Sequence, residues 1–351
     1  MKKIASLRGW YPSVIVLACL LCTAAASARS KSDSIVIGAI DFFGTSGVDL
    51  AGVRAALPFK SGDALNEADF DLLKIRINPV VTAHTGKPVT DVSGVCCDDQ
   101  HRLLLYIGLA GRNSRAVRRE KPPKGKSCLE QAARDLYGQA IDAMQKAIDA
   151  GETAEDHSQG YALSENAGFR ARQLAMRDYA VGHEPLLETA LSGCRVPEDR
   201  QAAAHLLGYA DQSHASIQAL VEASHDSDAT VRNNAIRALW VLAASGQPAG
   251  RWIPASPFVA MLNSATWEDR NKAGLLLSAL TERKDPALLR DLRREAMESL
   301  VEMARWHEAS HAMPYRFLLG RIGGIDEERL GHLVADGKVE EIVAAATGPA
   351  K

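Results

Sequence analysis

The chain is predicted to be mostly α-helical, with a C-terminal stack of helix pairs preceded by a small α+β domain. Three observations predict this. The stretch Asp228 to Ala244 places Val231, Ala235, Ile236, Leu239 and Leu242 at intervals of three and four, as a helix with one buried face does. Its pattern, an arginine at the first turn followed by Ala and Ile three and four residues on, recurs on both sides of it. Hydrophobic residues make up 46% of the chain and aromatics only 5%, a balance that leans helical.

A length of 351 residues implies two or three domains. The apolar content is ample for a packed core and excludes a disordered chain. The formal net charge of −2 gives the molecule no general attraction for nucleic acid or an anionic membrane.

Lys2, Lys3 and Arg8 precede an apolar run from Val14 to Leu21, and Ala26-Ser27-Ala28 follows as a small-residue cleavage site. Residues 1–28 therefore read as a signal peptide, with Arg29 the first mature residue. The run is too short to span a bilayer, so no integral membrane segment is expected after its removal. Export, most simply to a periplasm, follows. Acylation at Cys19, after Val16-Leu17-Ala18, is the less favoured alternative, because the apolar run continues past it to Leu21. Export places the mature chain in an oxidising compartment with four cysteines, Cys96, Cys97, Cys128 and Cys194. Adjacent Cys96 and Cys97 do not easily bond to each other. A bridge from this pair, through Cys97, to Cys128 would tie the first domain to the second; four buried thiols are the alternative. No Cys-x-x-Cys survives maturation, so neither a zinc ribbon nor a thioredoxin-type site is expected.

Residues 34–110 mix the two periodicities. Ile35-Val36-Ile37 is a short strand, Val48 to Leu57 is a helix stopped by Pro58, and Asn66 to Ile77 is a second helix ended by Pro79. Val89 to Cys96 and Arg102 to Leu109 are strands joined by a turn at Cys97 to His101. With Ile40, Phe42 and the stretch Phe59-Lys60-Ser61-Gly62-Asp63-Ala64-Leu65 between the helices, this β-α-α-β-β order resembles a POTRA domain. The resemblance implies protein binding in the cell envelope, often by offering a sheet edge to a partner strand.

Residues 111–128 read as a basic, solvated linker. Arg112, Arg115, Arg118, Arg119, Lys121, Lys124 and Lys126 stand against one acid, Glu120, and Pro122-Pro123 and Gly125 break any helix. A basic patch of this kind can meet phosphate or lipid headgroups, but no aromatic residue interleaves to stack nucleobases. Residues 129–168 form a helical lead-in, with a helix from Leu129 to Ala150 and a loop at Asp156 to Tyr161.

From 169 to 346 the arginine-first helices line up at Arg172, Arg200, Arg232, Arg270 and, more weakly, Arg316, at spacings of 28, 32, 38 and 46 residues. Partner helices fall between them, at Pro185–Leu191, Ser216–Ala223, Phe258–Leu262 and Ala287–Arg305. Asp199, Asp228 and Asp269 precede three of the arginines, where an acid caps a helix and suits its positive end. A small residue, Ala or Gly, three or four places after each arginine allows close helix approach. Asp228-Ala-Thr-Val231-Arg232-Asn-Asn-Ala235 resembles a HEAT repeat of the short bacterial kind. The resemblance implies an armadillo-like solenoid in which each pair leans on its neighbours and a concave surface binds proteins. The repeated arginines are expected to be structural, bonded to acids or carbonyls of the adjacent repeat.

One motif competes with this reading. His307-Glu308-Ala309-Ser310-His311 spells H-E-x-x-H, which on a helix sets two imidazoles on one face for zinc, with Glu308 activating water. Against it, Pro314 should break the helix, the repeat register makes this a corner, and no third ligand stands out. The expectation is therefore an exported, non-enzymatic scaffold for protein partners of the envelope, with no cofactor and no nucleic acid. A zinc peptidase using His307, Glu308 and His311 is the alternative.

Overall fold

The computed structural model describes residues 34–348, so residues 1–28, expected from the sequence to be a signal peptide, and Cys19 among them lie outside the described residues. The chain opens with a sheet. Strand β1 (Ile35–Phe43), helix α1 (Leu50–Ala56), the two-residue β2 (Ala64–Leu65), helix α2 (Glu67–Thr85), β3 (Asp91–Val95) and β4 (Leu103–Gly108) follow in order. The strand order is β2-β1-β4-β3, with β1 parallel to β4 and β3 antiparallel to it. Asp49 caps α1 by accepting from the Gly52 amide at 3.2 Å. Helix α2 does not stop at Pro79 but runs through it, because continuing places Val81 beside Ile77 in the core. The carboxamide of Asn78, just before the proline, accepts from the Val89 amide at 3.0 Å and ties the helix to the next loop.

Every residue of β4 is buried, because each face of the sheet is covered. On one face Leu105 and Ile107 join Ile37, Val53, Leu73, Ile77 and Val81 under α1 and α2. On the other, Phe43, Leu104 and Tyr106 belong to the core of the C-terminal helices. The open edge of β1 is plugged. Its outward carbonyls at Gly38, Ile40 and Phe42 accept from Ser61 Oγ (2.6 Å), the Arg54 guanidinium (3.2 Å) and Trp306 Nε1 (3.1 Å).

The remainder is a solenoid of helix pairs. Helix α3 (Gln131–Asp149) and a small ribbon, β5 (Glu155–Asp156) with β6 (Leu163–Ser164), lead in. Helix α4 (Ala167–Gly193) is two helices joined at a kink, where His183 leaves helical geometry just before Pro185. Then come α5 (Pro197–Leu207), α6 (His214–Ala223), α7 (Ala229–Ala244), a 3-10 turn at Pro248–Trp252, and α8 (Ser256–Met261). Helices α9 (Trp267–Leu280), α10 (Pro286–Ala304), α11 (Ala309–Ile322), α12 (Glu327–Ala335) and α13 (Val339–Thr347) complete it. Helices α4, α5, α7, α9 and α11 stack side by side as one row; the second half of α4, α6, α8 and α10 form the other. Small residues in the first row let the helices close up. At Gly274 a Cβ would collide with the ring of Tyr315 on the next helix.

Candidate interaction surface

The helices of the first row begin at N-caps Asn166, Val196, Asp228, Thr266 and Glu308. Four residues after the first four caps stands an arginine: Arg170, Arg200, Arg232 and Arg270. Each of these reaches back to the carbonyl six residues before it: Arg170 to Ser164 (3.3 Å), Arg200 to Cys194 (3.0 Å), Arg232 to Asp226 (3.0 Å) and Arg270 to Ser264 (2.6 Å). Three also reach forward to an acid of the next repeat. Arg200 holds Asp226 through two bonds of 2.8 and 2.9 Å, Arg232 meets Asp269 at 3.1 Å, and Arg270 meets Glu302 at 3.1 Å. These guanidiniums are almost wholly buried, so each needs both partners. Burial alone would raise the Asp269 carboxyl, but Arg232 and Arg119 hold it below the usual range.

Two of the five aligned arginines are not part of this ladder. Arg172 is exposed and bonds Gln139 at 2.9 Å; the repeat position belongs to Arg170, two residues earlier. The acid of the second repeat, Asp199, is held instead by Arg134 of α3 at 2.8 Å. Arg316 lies one turn beyond the repeat position, which is filled by Ala312, and donates to the Ala304 carbonyl at 3.0 Å. The cap, four residues upstream, sets the register of each repeat, and neither Arg172 nor Arg316 stands at that distance from it.

The H-E-x-x-H set is not assembled for zinc. Helix α11 starts at Ala309, so His307 lies outside it and the two imidazoles do not share a helical face. Glu308 is the N-cap and accepts from the Ser310 amide at 3.1 Å. His307 bonds Asp41 through its ring (2.7 Å) and its amide (2.9 Å), while the His311 ring meets the Tyr106 hydroxyl at 2.5 Å. Burial pushes the His311 imidazole down to about 4, with Lys272 adding to the effect. Pro314 does not break α11; it sits inside the helix. Among the described residues the three His, Cys, Asp or Glu side chains close enough to share an ion are Cys128, Cys194 and Asp199, and neither histidine is with them. This corner instead latches the N-terminal sheet. Trp306, Trp267 and His311 surround Tyr106, with ring centroids 4.9 to 5.5 Å apart.

The sequence placed a bridge between Cys97 and Cys128; the structure pairs Cys128 with Cys194 and Cys96 with Cys97. The reason is the course of residues 111–128, which are not a free spacer. They run as a strap along the corners that precede α9, α7 and α5, bringing Cys128 to the corner of α5. The Arg115 amide donates to Asn263 O (2.8 Å), and its carbonyl accepts from Ala265 (2.9 Å). The Glu120 amide donates to His225 O (2.8 Å), and Gly125 O accepts from the Arg195 amide (3.1 Å). Arg119 forms an ion pair with Asp269, and Asn113 O accepts from Arg270 at 2.6 Å. Glu302 gathers the parts: besides Arg270 it accepts from the amides of Gly44 (2.8 Å) and Thr45 (2.7 Å) and from Asn113 (3.2 Å).

The outer face of the first row is roofed. Helix α3 lies over α4 and α5. The ribbon covers α7 through Glu155–Arg237 (2.6 Å) and the edge-on contact of His157 with Trp240. The sheet covers α9 and α11, with Asp91 accepting from the Trp267 amide at 2.9 Å. Among the described residues the second row has no such roof. There Trp252 stacks on His214 with centroids 3.7 Å apart and is 43% exposed, and Leu186 is exposed on α4. The sequence carried no signal for Trp252, which lies in a turn outside the repeat pattern.

No family model matches the chain, and no curated protein matches it. Among solved structures it is similar to a designed armadillo repeat protein in complex with peptide (KR)4, at 13% identity and a TM-score of 0.36 over 61% of this chain and 97% of that one. It is also similar to a computationally designed armadillo repeat protein for modular peptide recognition, at 17% identity and a TM-score of 0.33 over 61% of this chain and 89% of that one.

Proposed function

We propose that the chain is an exported, non-enzymatic scaffold that docks protein partners in the cell envelope through the unroofed helix row. The observation that carries this reading is the division of the solenoid into two faces. The roofed face spends its charged groups on internal ties, whereas the other presents Trp252 and Leu186 beside the exposed Gln218 and Glu222 of α6. An exposed tryptophan held in place by a stacked ring is a common anchor of protein interfaces. The Cys128–Cys194 bridge supports an oxidising compartment, as the leader-like first 28 residues do. The β-α-β-α-β-β order, in which β2 is only two residues long, together with a parallel β1–β4 pair, supports a POTRA-like N-terminal module. With β1 plugged, the edge it would offer a partner strand is β3. A tagged chain is expected to recover a defined partner from envelope extract. Trp252→Ala with Leu186→Ser should lower recovery at least tenfold while the circular dichroism stays unchanged. Recovery unaffected by that pair but lost on Val92→Asp would move the docking site to the sheet edge, and the absence of any specific partner would overturn the reading.

A further inference from the structure

The strap shows a feature that the scaffold reading does not use. Arg112, Arg115, Arg118, Lys121 and Lys124 fall at every third residue, and all five are exposed. Asn113, Val117, Arg119 and Pro123 between them turn toward the protein. In an extended, proline-containing segment three residues make about one turn and advance at most about 9 Å. Arg112 stands in the turn that the Ser114 amide closes on the Gly111 carbonyl, and from Arg115 onward the three-residue repeat sets Arg115, Arg118, Lys121 and Lys124 toward one side. Neighbouring charges then lie within about one Debye length, roughly 8–10 Å at physiological salt, so their fields sum into a continuous ridge.

The ridge is also held in place. Backbone bonds fix the strap at Arg115, Glu120 and Gly125, one at each of three successive repeat corners, and the Cys128–Cys194 bridge closes its end. The entropy of ordering the segment is already spent in folding. The two carboxylates that face ridge cations, Glu298 on Arg112 (3.6 Å) and Glu120 on Arg118 (3.5 Å), are exposed and loosely placed, so they compete weakly. Seven cations against one acid in this segment contrast with a net charge of −2 for the whole chain. The attraction is local to the strap.

We infer that the strap is a binding site for a linear polyanion, specifically an acidic polysaccharide bearing carboxylate or sulfate groups along its length. A single anion meets one or two of the cations, whereas a chain laid along the ridge meets the successive cations from Arg115 to Lys124 and releases counterions at each. A peptide is disfavoured because the backbone groups that anchor the strap at Arg115, Glu120 and Gly125 already bond the solenoid. A membrane is disfavoured because Val117 and Pro123 are half-buried and the exposed apolar residues of the segment, Ala116 and Pro122, are too small to anchor it. Nucleic acid finds no aromatic residue to stack on.

Calorimetry of the whole mature chain with oligogalacturonates of one to eight units tests this. Affinity should rise at least a hundredfold from the monomer to the octamer. The slope of log K against log salt should shallow by about 2 in the triple variant Arg115→Gln, Arg118→Gln, Lys121→Gln, at about 0.7 per cation removed. These side chains are exposed, so the variant folds, and unchanged circular dichroism verifies it. Affinity that does not grow with chain length, or that survives the triple variant, overturns the proposal. So does equal or tighter binding to phosphatidylglycerol vesicles, polyglutamate or single-stranded DNA at matched charge.

Discussion

Arg232 and Ala312 stand at the same place in their repeats, four residues after the helix cap, yet their surroundings are held by different means. Around Arg232 a buried guanidinium joins the preceding corner to an acid of the next repeat. At Ala312 there is no guanidinium, and the corner is closed by the N-terminal sheet: Asp41 on His307, Tyr106 on His311, Phe42 O on Trp306. The difference teaches that the ladder serves repeats with a neighbour on both sides. At the end of the row another domain takes the neighbour's part, and Glu302, the last acid of the ladder, is where the two systems meet.

The sharpest way to break this comparison is Arg270→Ala. It leaves Glu302 and the Asn113 carbonyl without their buried partner, and should cost about 3–5 kcal/mol in urea unfolding. It should also loosen the loop at Gly44-Thr45, read as faster amide exchange there. The sheet-closed end should instead show itself in acid. Buried His311 stays neutral down to about 4, whereas unfolded it titrates near 6.5, so between these values the folded protein binds fewer protons. Its stabilising share is full above about pH 6.5 and is lost as pH falls toward 4, up to about 3 kcal/mol. His311→Gln should lose less stability between pH 7 and 4.5 than the unmodified chain; an equal loss would exclude this histidine as the cause. Arg316→Met removes a single bond to a carbonyl and should cost about 1 kcal/mol. Arg172→Ala, outside the ladder, should change the unfolding midpoint by no more than about 0.5 kcal/mol. A larger cost at Arg172 than at Arg316 would return Arg172 to the repeat.

The helix pairs were legible because their apolar period repeats, and the arginines of the central three repeats because a cap and a small residue bracket them. Arg170 carries no acid ahead of it in its turn: Asn166 caps the helix, and Phe169 stands where Asp199 and Asp269 precede Arg200 and Arg270. The strap was illegible for a different reason. Its anchors are main-chain atoms of Arg115, Glu120 and Gly125, which leave no trace in side-chain identity, so only its solvated cations could be read. The Cys128–Cys194 pairing was hidden with it, since the pairing depends on where the strap runs. Pro79 and Pro314 misled as helix stops because burial of Val81 and Tyr315 beyond them outweighs one lost backbone bond each. The H-E-x-x-H letters misled because one residue of register, the helix start at Ala309, decides whether the two rings share a face.

The plug on β1 has a consequence for how the gene can be cut. Two of its three donors, Ser61 and Arg54, belong to the N-terminal domain, but the third, Trp306, comes from the far end of the chain. A fragment ending near residue 110 would therefore display the Phe42 carbonyl and the apolar sheet face of Phe43, Leu104 and Tyr106, a surface ready to pair with its own copies. Such a fragment should precipitate where the whole chain stays dispersed. Synthesis imposes the same exposure briefly, since the sheet emerges about 200 residues before the tryptophan that seals it, making this the stretch of the chain most in need of protection while it waits.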